Sequence, residues 1–97
     1  MKIKTKSGFE CNINERRLKD WRYIKAAVKI NSGDEGAVVE AITFAIPFIL
    51  GEDGEAALMA HVEDKGAVDG DRVVIEFLEI TRLAGEKIKK SQSSLNS

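Results

Sequence analysis

Residues 4–11 read KTKSGFEC, and the way their side chains pair decides how the chain begins. A two-residue loop at Ser7-Gly8 would set Lys6 opposite Phe9 and Lys4 opposite Cys11, mixing lysines with Phe9, Cys11 and Ile13 on one face. A three-residue loop, Lys6-Ser7-Gly8, instead sets Thr5 opposite Phe9, Ile3 opposite Cys11 and Met1 opposite Ile13, with Lys4 facing Glu10 on the outer side. One face is then apolar and the other charged, so this register is the expected one. Gly8 falls at the left-handed position that closes a type I turn with a bulge, which glycine adopts without steric penalty. A lone two-stranded ribbon is marginal in water, so its apolar face has to pack on helices or on another subunit. Its free edge could accept a further strand from a partner or a second copy.

Beyond the ribbon the chain reads as helices. Asn14 caps a helix expected over about 15–30, with Leu18, Trp21, Ile24, Ala27 and Val28 as the inward stripe and a basic opposite face. Asn31-Ser32-Gly33 ends it, and Asp34 caps a second helix over about 35–46. Pro47 lacks an N–H and disfavours a helical residue before it, which predicts a break near Ile46 and a separate turn at 48–50 closed by Gly51. A third helix is expected over about 53–63, with Asp64-Lys65-Gly66 at its exit. Asp69 caps a fourth, over about 70–84, whose core stripe is Val73, Val74, Phe77, Leu78, Thr81 and Ala84. Residues 86–97 are polar and serine-rich, which predicts a flexible, disordered tail. The fold class is therefore mainly α with an α+β character: an N-terminal β-hairpin and a bundle of about four helices, in one small domain over 1–85.

Ninety-seven residues fit one domain near the lower limit for an adequate core, so association is a natural source of further stability. The longest apolar run, Ala45–Leu50, is too short to span a bilayer, and the N-terminus lacks the apolar stretch of a signal peptide. With a single cysteine, Cys11, a cytoplasmic location is expected. The net charge of −1 conceals a polarity: residues 1–33 carry nine Lys/Arg against three acidic residues, and residues 34–97 six against thirteen. Such an arrangement suits two faces of one fold, or a heterologous contact in which the basic N-terminal part of one copy meets the acidic helices of another.

Catalytic and metal-binding signals are thin, and neither an enzyme nor a cofactor is expected. His61 is the only histidine, and neither it nor Cys11 sits in a nucleophile motif. The DGD at 69–71 starts like a calcium loop but has Val73 where an oxygen ligand belongs, and GEDGE at 51–55 is too acidic to cradle phosphate. The cations Arg16, Arg17, Lys19, Arg22, Lys25 and Lys29 beside Trp21 and Tyr23 offer an alternative reading as a small nucleic-acid-binding regulator, opposed by the net negative charge and by Trp21 as a core residue. Among them Arg16, Arg17, Arg22 and Lys25 form the candidate charged association surface. The long apolar helix has more large residues than one stripe can bury, which makes Val39, Ile42, Phe44, Ile46, Phe48 and Ile49 the candidate partner-binding surface.

The order of segments KTKSGFEC, LKDW, ILGED, LMAHVEDKG, EFLEI and EKIKKSQSS over nearly the whole chain resembles the tail assembly chaperones of long-tailed phages and prophages of Gram-positive bacteria. The resemblance implies a non-enzymatic protein of the host cytoplasm, not carried in the mature virion. Its implied partner is the tape measure protein, a long aggregation-prone helical chain kept soluble while the tail tube assembles. It further implies a longer frameshifted form that recruits the tail tube protein; self-association is expected separately, from the same apolar patches. Another phage morphogenesis adaptor is the remaining alternative.

Overall fold

The hairpin forms in the register its side chains dictate. The structure, a computed structural model, describes the backbone of residues 1–96 and the side chains of residues 1–90. Strand β1 (Lys2–Lys4) pairs antiparallel with β2 (Glu10–Asn12), with Ile3 opposite Cys11 and Lys4 opposite Glu10. The loop closes through Gly8 N–H donating to Thr5 O at 3.0 Å and Thr5 N–H to Phe9 O at 2.9 Å, with Gly8 at φ +95°. Ile3, Thr5, Phe9 and Ile13 are buried on the inner face, while Lys2 and Lys4 reach towards Glu10 on the outer one at 4.0 and 3.9 Å. The inner face rests on the two long helices that follow.

The first helical segment is divided, contrary to the single helix expected over 15–30. A one-turn helix α1 (Glu15–Leu18) is capped by Asn14, and α2 (Trp21–Ile30) starts afresh because Asp20 leaves the helical region and caps Arg22 N–H. Asp34 then caps α3 (Glu35–Val62), which runs straight through Pro47. The expected break near Ile46 does not occur; the bend lies at Gly51, at φ 76° and ψ 170°, where only glycine is comfortable. The bend leaves the last carbonyls of the preceding turn without helical donors, and Arg17 Nη1 supplies one to Phe48 O at 3.1 Å.

A second ribbon, unforeseen from the sequence, follows at once: β3 (Glu63–Asp64) and β4 (Ala67–Val68) pair across Lys65-Gly66, both at positive φ as in a type I′ turn. Helix α4 (Gly70–Asn96) is capped by Asp69, whose carboxylate accepts from Asp71 N–H at 3.0 Å. It continues through Gly85, so residues 86–90 are helical rather than a loose tail; Lys87 Nζ donates to Lys2 O and Ile88 is half-buried. The expectation of a mobile tail for 91–97 lies outside the fully described residues.

The core joins Ile3, Phe9 and Ile13 of the hairpin to Ile42, Ala45, Ile46, Ile49, Leu50, Leu58 and Val62 of α3 and to Phe77, Ile80 and Ala84 of α4. On α4 the inward row is Val73, Phe77, Ile80 and Ala84; Leu78, expected within it, is 39% exposed. Among the described residues no helix is long and apolar enough to cross a membrane.

Candidate functional site

Helix α2 packs on α3 with the opposite face from the one its largest residues suggest. Ala26 is buried and Tyr23 and Ile30 are half-buried; of the stripe expected to face inward, Leu18 and Ala27 are half-buried, whereas Trp21 is 68% exposed, Val28 68% and Ile24 41%. The sequence held a signal for this. Tyr23, Ala26, Ala27 and Ile30 also recur at three- and four-residue spacing, so α2 carries two apolar stripes. The smaller one goes inward: Ala26 lies beside Ala41 of α3, short side chains that let the helices approach closely, and Tyr23 and Ile30 pack against the core. Burial pushes the Tyr23 hydroxyl above its ordinary range, partly offset by a hydrogen bond with Thr81.

The six apolar partner candidates separate in the same way. Ile42, Ile46 and Ile49 are core residues and are removed from the candidate surface, because that side of α3 meets the hairpin and α4. Val39 and Phe44 remain exposed, and Phe48 is half-buried. The rings of Phe44 and Phe48 stack at 5.2 Å between centroids and 22° between planes. Beside them a groove of about 350 Å³ opens between α2 and α3, with Ala26, Ala41 and Phe44 as its apolar lining and Arg22, Lys25, Lys29 and Glu40 around it.

The charged candidates are not equivalent. The guanidinium of Arg17 lies 5.0 Å, and that of Arg22 4.9 Å, from the Phe48 ring centroid, which is cation–π range. Arg22 also grips Asp20 with two hydrogen bonds, Nε to Oδ1 at 3.0 Å and Nη2 to Oδ2 at 2.9 Å. This pair holds the Asp20 carboxyl at about 2 and raises Arg22 further. Arg17 and Arg22, themselves exposed like Arg16 and Lys25, thus brace the α1–α2–α3 corner.

A polar cluster lies under the hairpin turn. Ser7 Oγ is 2.8 Å from His61 Nε2 and donates to Glu76 Oε1 at 2.6 Å; Thr5 Oγ1 donates to the same carboxylate oxygen. The composition is that of a serine–histidine–acid relay, but the connections differ. The carboxylate binds the serine and not the far imidazole nitrogen, so the Ser7 proton is committed to Glu76 and His61 is left to donate to Ser7 rather than act as its base. The cluster ties the turn to α3 and α4, and Lys6 N–H adds a bond to Glu79 Oε2 at 3.2 Å. His61 directs Nε2 to Ser7 and sets its ring 5.3 Å from that of Phe9, while burial pushes the half-buried Cys11 thiol up, away from the thiolate a nucleophile needs. Among the described residues no group of three or more His, Cys, Asp or Glu side chains is arranged to hold a metal. Comparison with family models, with curated proteins and with solved structures finds no match for this chain.

Proposed function

We propose that this chain is a non-enzymatic tail assembly chaperone of a long-tailed phage or prophage. It acts in the host cytoplasm, binds the tape measure protein, and keeps that helical chain soluble while the tube polymerises. The reading starts from the resemblance of the ordered sequence segments. The observation that carries it further is the number of large apolar residues left exposed on these two helices: Trp21, Ile24 and Val28 along the outer face of α2, and Val39 and Phe44 on separate sides of α3. A small domain able to bury such residues gains nothing by exposing them, whereas a protein that shields helices needs an apolar surface to offer in exchange. The α2–α3 groove is the part suited to one helical segment, with Phe44 as the anchor and Lys25 and Lys29 as rim charges. Self-association, and a longer frameshifted form that brings in the tube protein, complete the reading.

Co-expression with the tape measure protein tests it. Soluble tape measure that co-purifies with the wild-type chain is expected, as is loss of both with a folded Phe44→Asp variant. Tape measure that stays insoluble beside abundant folded chain would refute the chaperone role. One observation favours a second reading: Trp21 is exposed beside Lys25 and Lys29, so a nucleic acid could stack on it. Binding to an oligonucleotide that weakens steeply with salt and is lost in Trp21→Ala would support that alternative.

A further inference from the structure

We infer that this chain forms a dimer by exchanging its first half: α3 straightens at Gly51, and residues 1–50 of each copy pack on the helices that follow Gly51 in the other. Such a dimer is one form of the self-association included in the chaperone reading, and it stands without the client.

Gly51 divides the chain into two bodies that hold each other. The hairpin, α1, α2 and the first part of α3 precede it; the rest of α3, the β3–β4 ribbon and α4 follow. The core is shared between them, with Ile3, Phe9 and Ile46 from the first and Leu58, Phe77 and Ile80 from the second. The polar ties of the hairpin also run from one body to the other: Thr5 and Ser7 to Glu76, Ser7 to His61, Lys6 N–H to Glu79, and Lys87 to Lys2 O. These contacts are the same whichever copy supplies each half, so a second copy can satisfy all of them. Only the joint decides between one chain and two.

The joint is shaped for the bent form in ways that a straight helix does not need. Gly51, at φ 76° and ψ 170°, is the one residue inside α3 that leaves the helical region. Gly54 is brought so close to Leu50 that a Cβ on it would lie 2.7 Å from the Leu50 Cβ. Residues four apart in a continuous helix hold their Cβ atoms about 5–6 Å apart, so the crowding belongs to the bend. The bent form also relies on Arg17 to donate to Phe48 O at 3.1 Å, an acceptor that the N–H four residues on reaches in an unbroken helix. Straightening therefore exchanges one side-chain hydrogen bond for backbone ones and removes the need for either glycine. Glycine at both places, a poor helix former, is what keeps the bent single-chain form favourable.

Alanine at either glycine penalises the bent form and favours the straight one. Gly51→Ala and Gly54→Ala are each expected to dimerise at concentrations roughly a hundredfold below wild type, at about tenfold for each of the two joints in a dimer. Sedimentation velocity without any client, after unfolding in urea and refolding over a range of concentration, gives the comparison. Wild type is expected to refold as a monomer when dilute and with a growing dimer fraction when concentrated. Dimers refolded from an equal mixture of isotope-labelled and unlabelled chains then reveal the arrangement. The rings of Phe9 and His61, 5.3 Å apart and on opposite sides of the joint, are expected to show an isotope-filtered NOE between chains. Dimers in which that contact stays within one chain would overturn the exchange. So would either glycine variant refolding as a monomer at every concentration, both variants losing their helical structure, or a wild-type chain that gives no dimer at all. Soluble tape measure beside a strictly monomeric chain would leave the chaperone reading standing and the exchange refuted, whereas exchanged dimers beside insoluble tape measure would do the reverse.

Discussion

Truncating Trp21 and Phe77 to alanine in parallel measures which aromatic side chain belongs to the core. Phe77 is 0% exposed and lies amid α3, α4 and the hairpin. Phe77→Ala therefore loses both transfer energy and packing, about 3–5 kcal/mol. Trp21, 68% exposed, has roughly a third of its surface covered. A third of an indole side chain of ~250 Å² is ~80 Å², or about 2 kcal/mol at ~25 cal/mol per Å². That figure is an upper bound, since the unfolded chain already covers some of it. Alanine returns ~0.5 kcal/mol through its better helix propensity. The expected net loss for Trp21→Ala is thus about 1 kcal/mol. Urea unfolding followed by circular dichroism, at concentrations where the chain is a single copy, gives both values and keeps association out of the comparison. A loss of 3 kcal/mol or more for Trp21→Ala, matching Phe77→Ala, would mean that α2 packs by its other face and would remove the basis for the surface described above.

Three further outcomes follow from single contacts. Glu76→Gln exchanges two charge-assisted bonds, from Thr5 and Ser7, for neutral ones, and should cost about 2 kcal/mol in urea unfolding; a change below about 0.5 kcal/mol would show that the carboxylate does not tie down the turn. Gly51→Ala places a Cβ in open space but at φ 76°, ψ 170°, so backbone strain alone should cost about 1–3 kcal/mol; unchanged stability would argue that α3 can do without the bend. The Asp20 carboxyl, held at about 2 against an ordinary 3.8 chiefly by its hydrogen bonds with Arg22, should titrate near 2 by NMR. Because the folded value is the lower one, its contribution to α2 is complete above the ordinary value and lost as pH falls from 3.8 towards 2. Arg22→Ala should move the midpoint back towards 3.8, and an unmoved midpoint would exclude the pairing.

The parts of the fold that depend on neighbouring residues could be read from the sequence. The hairpin register follows from placing Ile3, Phe9 and Ile13 on one side and Lys4 with Glu10 on the other, and the caps at Asn14, Asp34 and Asp69 from short polar side chains ahead of apolar runs. The bend in α3 was misplaced because Pro47 and Gly51 both signal one. A proline inside a helix removes one donor, whereas Gly51 adopts a backbone conformation that ends the helical path outright. The Ser7–His61–Glu76 cluster joins residues 54 and 69 positions apart, which spacing within one segment cannot reveal.

The inversion of α2 has a different origin, and it bears on function. Periodicity identifies an apolar face but not what the face meets, and α2 has two. Its inward face brings Ala26 beside Ala41 of α3 and lets Tyr23 and Ile30 pack against the core; an indole in place of Ala26 would hold the helices apart. Close packing thus selects the flatter stripe for the interior and leaves Trp21, Ile24 and Val28 outside. Were the outer stripe without use, polar residues at 21, 24 and 28 would preserve α2's packing on α3 and raise solubility. A ten-residue helix with apolar residues on both its inner and outer faces is what a chain needs when its outer neighbour is another protein, and the basic margin of Lys25 and Lys29 adds a preference for an acidic one.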